Sequence, residues 1–151
     1  MINYSSIESR GFGKTLSMEN IRSTVSPDMY SWRGHVSSKL QDLIKLNDGW
    51  DGYNAGPVSF TLAHFAMNML EAICKNDTPV PQIVPGVNGD LQIEWHMPSS
   101  DIELHVISAN KVVAWRCGSS GEEETLNLQT EFSAIAPWIE ELTEENIVTA
   151  A

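Results

Sequence analysis

The sequence predicts an α+β domain with two N-terminal helices, an antiparallel β-meander of four to five strands and a short C-terminal helix. Between residues 31 and 75, apolar residues recur at steps of three and four, as they do in amphipathic helices. After Pro81 the period changes to two, which is typical of half-buried strands. The dipeptide Asn88-Gly89 separates the first two strand-like segments and favours a tight hairpin.

The chain has 151 residues, and 42% of them are hydrophobic, which is enough for one core. We expect residues 1–30, which are polar and lack a sustained period, to be an extension that is at most partly ordered. Residues 31–145 form the predicted domain, and residues 146–151 form a tail. No stretch has the roughly 18 apolar residues of a membrane span. The N-terminus also lacks the apolar segment of a secretory signal, so a cytoplasmic protein is expected.

The net charge of −11 is unevenly distributed along the chain. Residues 1–46 carry a net charge of +2, whereas residues 47–151 carry three basic and sixteen acidic residues. Because phosphate contacts need cations, this composition disfavours direct binding of nucleic acid. An acidic surface can simply keep the protein soluble, bind a basic protein partner or mimic a nucleic acid.

Two helices are predicted from the periodic segments. The first covers residues 31–46 and ends before Asn47-Asp48-Gly49, which has good helix-stop chemistry. The second begins after Ser59, whose hydroxyl can cap a first-turn amide, and continues to about Lys75.

Four consecutive strands and their turns follow. The predicted strands are residues 82–87, 91–97, 101–109 and 112–117, and residues 126–132 suit a fifth. The predicted connections are a type I′ turn at Asn88-Gly89, a four-residue loop at 98–101 and a tight turn at Asn110-Lys111, followed by an acidic loop at 118–125. Residues 133–142 suit a short C-terminal helix.

The second hairpin carries the residues that are most suited to binding or catalysis. If Met97 and Ile102 close its loop, Glu94 lies opposite His105 and His96 opposite Glu103, on the face away from Trp95 and Leu104. The predicted turn at Asn110-Lys111 then places Arg116 beside His105. Solvent-facing ion pairs, a partner-binding patch, a general acid and base, and a divalent metal site all remain open for this cluster.

Two other segments are candidate partner contacts. In the loop Asp48–Ala55, two Asp-Gly dipeptides fix tight turns around Trp50, Asp51 and Tyr53. These aromatic residues either pack the connection into the core or serve as a rigid anchor for a partner. The acidic run Glu122, Glu123 and Glu124 is the second segment.

Catalytic motifs are not evident. The serines lack a G-x-S-x-G elbow. Cys74 and Cys117 share no motif spacing, lie in apolar runs and are expected to be free, inert thiols. The sequence therefore predicts a non-enzymatic protein without a cofactor.

Two motifs resemble a known family. DGWDGYNA (residues 48–55) and the later pattern P-x3-P-x3-G-D-L-x2-E-W (residues 81–95) are similar to an uncharacterised family of small bacterial and phage-associated proteins. The resemblance covers about residues 40–116 and implies one domain unit without implying an activity. It also implies an association with mobile elements.

These features together favour a non-enzymatic protein-binding module that acts through an acidic surface. The family context suggests a phage- or mobile-element-encoded inhibitor of a host defence system, anti-CRISPR-like or antitoxin-like. The expected partner is a protein, basic or nucleic-acid-binding, and neither nucleic acid nor membrane is expected to bind directly. The alternatives are a metal-dependent enzyme using Glu94, His96, Glu103 and His105, and a structural protein that self-associates into a homodimer through a sheet edge.

Overall fold

Three helices and five strands make up the part of the chain that the computed structural model describes, residues 31–150 without the side chain of Ser31. The predicted N-terminal extension, residues 1–30, lies outside this part. The helices are α1 (Ser31–Ile44), α2 (Phe60–Ile73) and α3 (Ala136–Ala150). The strands are β1 (Gln82–Pro85), β2 (Leu91–Met97), β3 (Ser100–Ser108), β4 (Lys111–Gly118) and β5 (Glu123–Leu128).

The strands form one antiparallel sheet in the order β1-β2-β3-β4-β5. The predicted α+β class and antiparallel sheet are therefore confirmed. None of the helices within residues 31–150 is long and apolar enough to cross a lipid bilayer.

All three helices contribute to one hydrophobic core on one face of the sheet. Leu70 of α2 and Ile139 of α3 are buried in the same cluster as Ile93 and Leu104 of the sheet, and Trp32 of α1 joins them. Burying a side chain of this size contributes about 1.5–3 kcal/mol. The predicted core face is therefore correct, and the opposite face is left without a helix from the described residues.

The first two helices are joined by specific backbone contacts. The Ser59 hydroxyl accepts a hydrogen bond from the Leu62 amide at 3.1 Å, so the predicted N-cap is confirmed. The Trp32 indole donates to the carbonyl of Lys75 at 2.8 Å, which links the start of α1 to the end of α2.

Helix α3 is longer than the short helix predicted at 133–142, because partners distant in sequence hold its later turns. The hydroxyls of Thr143 and Thr78 lie 3.1 Å apart in a buried pair. The Glu145 carboxylate accepts hydrogen bonds from the amide and hydroxyl of Ser99 at 3.1 and 2.6 Å. An apolar pattern in the sequence cannot reveal such polar contacts.

The register of the β2–β3 hairpin differs from the prediction by two residues. Met97 pairs with Ser100, so Pro98 and Ser99 alone form the turn instead of a four-residue loop. A shift by two residues changes every pair and keeps every side chain on its face. The predicted pairs of Glu94 with His105 and of His96 with Glu103 are therefore wrong.

The next hairpin is shifted by an odd number of residues, which exchanges the faces of β4. Ser108 pairs with Lys111, so the turn is Ala109-Asn110, and the register shifts again between Val106 and Ser108. Asn110 has a φ of 63°, which asparagine tolerates well. As a result Arg116 pairs with Ile102 on the helix side of the sheet, and its predicted place beside His105 is wrong.

Two further turns depart from the prediction. Asn88 does not adopt the positive φ that a type I′ turn requires; Gly89 does, at 80°. The β1–β2 hairpin is instead closed by the Gly86 amide, which donates to the Asp90 carbonyl at 2.8 Å. The fifth strand begins at Glu123, so the acidic loop predicted at 118–125 is shorter and the first two residues of β5 are acidic.

Candidate protein-binding surface

The sheet face that lies away from the core, called the open face below, carries three rows of side chains. They follow from the strand register: Gln82, Glu94, Glu103, Trp115 and Thr125 in one row; Val84, Gln92, His105, Val113 and Asn127 in the second; His96, Asp101, Cys117 and Glu123 in the third. All four residues of the predicted Glu/His cluster lie on this face, and Arg116 does not.

Glu94 and Glu103 lie directly opposite each other on neighbouring strands. Like charges in this position are destabilising unless other groups compensate. The Gln92 amide donates to Glu103 at 3.2 Å, and His96 Nε2 lies 3.1 Å from Glu94 Oε1. The two carboxylates therefore have separate neighbours and are not joined by crossed histidine pairs.

His96 is held between two carboxylates. Its Nδ1 lies 3.0 Å from Asp101 Oδ1, and its Nε2 contacts Glu94. Hydrogen bonds to Asp101 and Glu94 raise the pKa of His96 above its ordinary value, because both acceptors favour the charged ring. The side chain remains 52% exposed, so the ion pairs are partly screened by solvent.

His105 pairs with a residue that the sequence did not single out. Its Nε2 lies 2.5 Å from Asp90 Oδ2, and Asp90 Oδ1 accepts a hydrogen bond from the Asn88 amide at 3.1 Å. Burial by itself raises the pKa of Asp90, but the hydrogen bonds from His105 and from backbone amides outweigh it and hold the pKa below its ordinary value. His105 thus fastens the β1–β2 hairpin to β3.

An apolar strip runs along β4 on the open face, next to the edge strand β5. It consists of Val113, Trp115 and Cys117, all half-buried. Trp115 lies between Glu103 of β3 and Thr125 of β5, and its indole N–H donates to Glu123 Oε1 at 3.2 Å. The strip is therefore flanked by acidic side chains on both sides.

Arg116 has a structural environment on the other face. Its guanidinium lies 4.8 Å from the ring centroid of Trp138, and its nitrogens contact Glu124 of β5 at 3.3 Å and Glu141 of α3 at 3.2 Å. The arginine links β4, β5 and α3 and is not part of the open face.

The aromatic loop between α1 and α2 is closed by its own hydrogen bonds. Asp51 Oδ1 accepts from the amides of Tyr53 and Ala55 at 2.9 and 3.1 Å, and these bonds lower the pKa of Asp51. The Trp50 indole donates a hydrogen bond to the Gly56 carbonyl at 2.9 Å. Trp50 is not part of the hydrophobic core cluster. Tyr53 is 85% exposed at the surface of this loop, which makes it the second candidate contact.

The acidic run is divided among three environments. Glu122 folds over Gly118 and contacts the Ser120 hydroxyl, Glu123 lies on the open face, and Glu124 lies on the helix side next to Arg116. Alternation along β5 separates Glu123 from Glu124, so the three carboxylates do not converge.

The geometry of the described residues does not support a metal centre. No group of three or more histidine, cysteine, aspartate or glutamate side chains in the described part of the chain is arranged to hold an ion. The His96 ring nitrogens both contact carboxylate oxygens already. The cysteines are free thiols, as predicted, and burial raises the pKa of Cys74 to about 12, so that thiol is unreactive.

Sequence reasoning missed the roles of Asp90 and Trp115. A signal for the first is a pattern that occurs twice, Gly-x-x-Gly followed by an acidic residue, at residues 86–90 and 118–122. In both hairpins the first glycine donates its amide to the carbonyl of the acidic residue, whose side chain covers that glycine. Trp115 could be placed only with the register of β4.

No family model matches the chain, and comparisons with curated proteins and with solved structures found no significant similarity.

Proposed function

We propose that this protein is a non-enzymatic protein-binding module that acts in the cytoplasm and uses the open face of its sheet. The observation that supports this most directly is the apolar strip around Trp115, which no described helix covers and which acidic side chains flank. A half-buried aromatic residue with a polar surround is a common anchor in protein interfaces.

The charges define the kind of partner. Glu94, Asp101, Glu103 and Glu123 are the acidic members of the three rows, and none of these rows contains a lysine or an arginine. Lys111 lies beyond the rows, at the start of β4. A partner that places an apolar side chain on Trp115 and basic side chains around it would complement the surface. The resemblance to mobile-element proteins suggests that the partner belongs to a host defence system, which would make this protein an inhibitor.

The test is capture of a partner with immobilised full-length protein from a lysate of its native cell. We expect a stoichiometric partner that is lost with Trp115→Ala and with Glu103→Lys, because the first removes the anchor and the second reverses a flanking charge. Asp77→Lys makes the same charge change in an exposed turn outside the open face and should retain the partner.

Thermal unfolding of each variant distinguishes loss of binding from loss of fold. The proposal is contradicted if no partner is recovered. It is equally contradicted if the folded Trp115→Ala and Glu103→Lys proteins capture the partner as well as the wild type does.

A further inference from the structure

The two edges of the sheet are unequal. Strand β1 has four residues, contains Pro85 and directly follows Pro81, and a proline cannot donate a hydrogen bond to an added strand. Strand β5 has six residues without proline or glycine and pairs with β4 without interruption. Within residues 31–150, β5 is therefore the edge that remains open to pairing.

The hydrogen-bond phase of β5 identifies the backbone groups that face outwards. The Gly118 amide donates to the Glu122 carbonyl at 2.9 Å, so these two residues form a bonded pair. Bonded and non-bonded pairs alternate along an antiparallel ladder. Glu124, Leu126 and Leu128 therefore bond to β4, while Glu123, Thr125 and Asn127 direct their N–H and C=O groups away from the sheet.

The three outward-directed residues are also exposed, and their side chains belong to the open face. A strand added to β5 would thus extend the open face as well as the sheet. Its residue opposite Glu123 would lie close to that carboxylate, and the adjacent residue would lie close to Glu124 on the helix side.

We infer that β5 binds an extended segment of the partner protein as a sixth strand, and that this segment carries two adjacent basic residues opposite Glu123 and Glu124. This inference rests on the proposed function and names the partner's binding segment. Charge complementarity selects the occupant, since β5 has two carboxylates and no cation of its own, and Arg116 of β4 contacts Glu124 at Oε1.

A second copy of this chain fits the edge less well. In an antiparallel pair of two β5 strands centred on Thr125, which joins the outward-directed residues, Glu123 would face Asn127 and Glu124 would face Leu126, so neither carboxylate would gain a cation. Each copy also brings a net charge of −11, which opposes association.

The experiment uses the full-length protein and fluorescent peptides of about ten residues with alternating valine and threonine, the pattern of an added strand. One peptide carries an adjacent Lys-Arg pair near one end, and the matched peptide carries Glu-Glu there. We expect the Lys-Arg peptide to bind and to protect the amides of Glu123, Thr125 and Asn127 from hydrogen exchange. The Glu-Glu peptide should bind at least tenfold more weakly.

Two variants test the edge itself. Thr125→Pro removes an outward amide and leaves the bonded pairs with β4 in place, and Glu123→Lys reverses the charge; each should weaken binding of the Lys-Arg peptide at least tenfold. Asp77→Lys should bind as the wild type does.

The inference is overturned if the Lys-Arg peptide does not bind at about 1 mM, a concentration at which even weak complexes form. It is also overturned if both peptides bind equally well, or if the Lys-Arg peptide binds folded Thr125→Pro as well as it binds the wild type. A dimer of the peptide-free protein that Thr125→Pro abolishes would show that the occupant is a second copy. If Thr125→Pro still captures the cellular partner and Trp115→Ala does not, the inference fails while the proposed function stands.

Discussion

Asp90 connects three parts of the molecule through one short side chain. It accepts the Asn88 amide within its own turn, contacts His105 on β3 and lies against Gly86. A β-carbon at Gly86 would overlap the Asp90 carboxylate, so any larger residue there must displace that carboxylate. The hairpin therefore depends on the pair of residues and not on either one alone.

Gly86→Ala should lower the free energy of unfolding by roughly 1–2 kcal/mol, because the displaced carboxylate loses its contact with His105. The measurement is chemical denaturation. In a His105→Ala background the same substitution should cost less, since the contact is already absent. Gly34→Ala is the matched control, because Gly34 is exposed within α1 and a β-carbon there meets no atom. Its expected effect has the opposite sign, a gain of up to about 1 kcal/mol. Equal losses for the two variants would contradict this description of the hairpin.

His96 makes the stability of the open face depend on pH. Its pKa is raised in the folded protein, so its stabilising contribution is complete below the unfolded pKa of about 6.5 and is lost as the pH rises through the folded pKa. Since the side chain is half exposed, the contribution is at most about 0.5 kcal/mol. The wild type should therefore exceed His96→Gln in unfolding free energy at about pH 6 and match it at about pH 9.

Proton NMR of the His96 ring measures the pKa of His96 in the folded protein directly. The titration midpoint should lie above that of an unfolded-chain histidine and should fall in Asp101→Asn, which removes one of the two acceptors. A midpoint that Asp101→Asn leaves unchanged would show that the contact does not favour the charged ring.

At the scale of whole elements, polar contacts hold α3 against the rest of the fold. The buried hydroxyl of Thr143 lies between the hydroxyl of Thr78 and the Ile139 carbonyl, to which it donates at 2.9 Å. The segment before β1 is thereby linked to the C-terminal helix, more than sixty residues later in the chain.

Thr143→Val should lower the free energy of unfolding by about 1 kcal/mol, because the volume is kept while the buried hydrogen bonds are lost. Thr149→Val is the control: Thr149 makes the same kind of bond to a carbonyl four residues earlier, at 2.8 Å, but on the exposed side of α3. Its effect should stay within about 0.5 kcal/mol. Denaturation curves that show similar losses for both variants would exclude a role for burial.

The sequence predicts the elements of this fold better than their pairing, for a physical reason. Apolar periodicity reports which side chains are buried, and Trp95 and Leu104 are on the predicted core face. Turn lengths report the register, and they depend on backbone conformations that residue types only bias. In the β2–β3 hairpin the predicted and observed registers differ by two residues, so every side chain is on the predicted face. In the β3–β4 hairpin they differ by an odd number of residues, so Arg116 lies on the face opposite to the predicted one.

The same distinction applies to the candidate site. Glu94, His96, Glu103 and His105 share a face as predicted, since membership of a face survives an even shift. Their partners could not be predicted: Asp90 reaches His105 from a neighbouring turn, and Asp101 reaches His96 across the two-residue loop. Trp115 is brought to this face by the bulged register between β3 and β4, for which the sequence has no simple signal.

At the scale of the whole molecule, the domain has a helical side and an uncovered acidic side. The helices and the core occupy one face of the sheet, and the apolar strip with its acidic flanks occupies the other. The described residues contain no group of three or more side chains arranged to hold a metal ion. The proposed partner, a basic protein, would complement both the open face and the edge of β5.

The most direct test of the open face is hydroxyl-radical footprinting of the full-length protein, free and bound to its captured partner. Trp115 and Tyr53 are aromatic reporters of the two candidate surfaces, the open face and the loop between α1 and α2. We expect the partner to reduce modification of Trp115 strongly and to leave Tyr53 unchanged. Unchanged modification of Trp115 in the complex, with or without protection of Tyr53, would contradict the assignment of the open face as the binding surface.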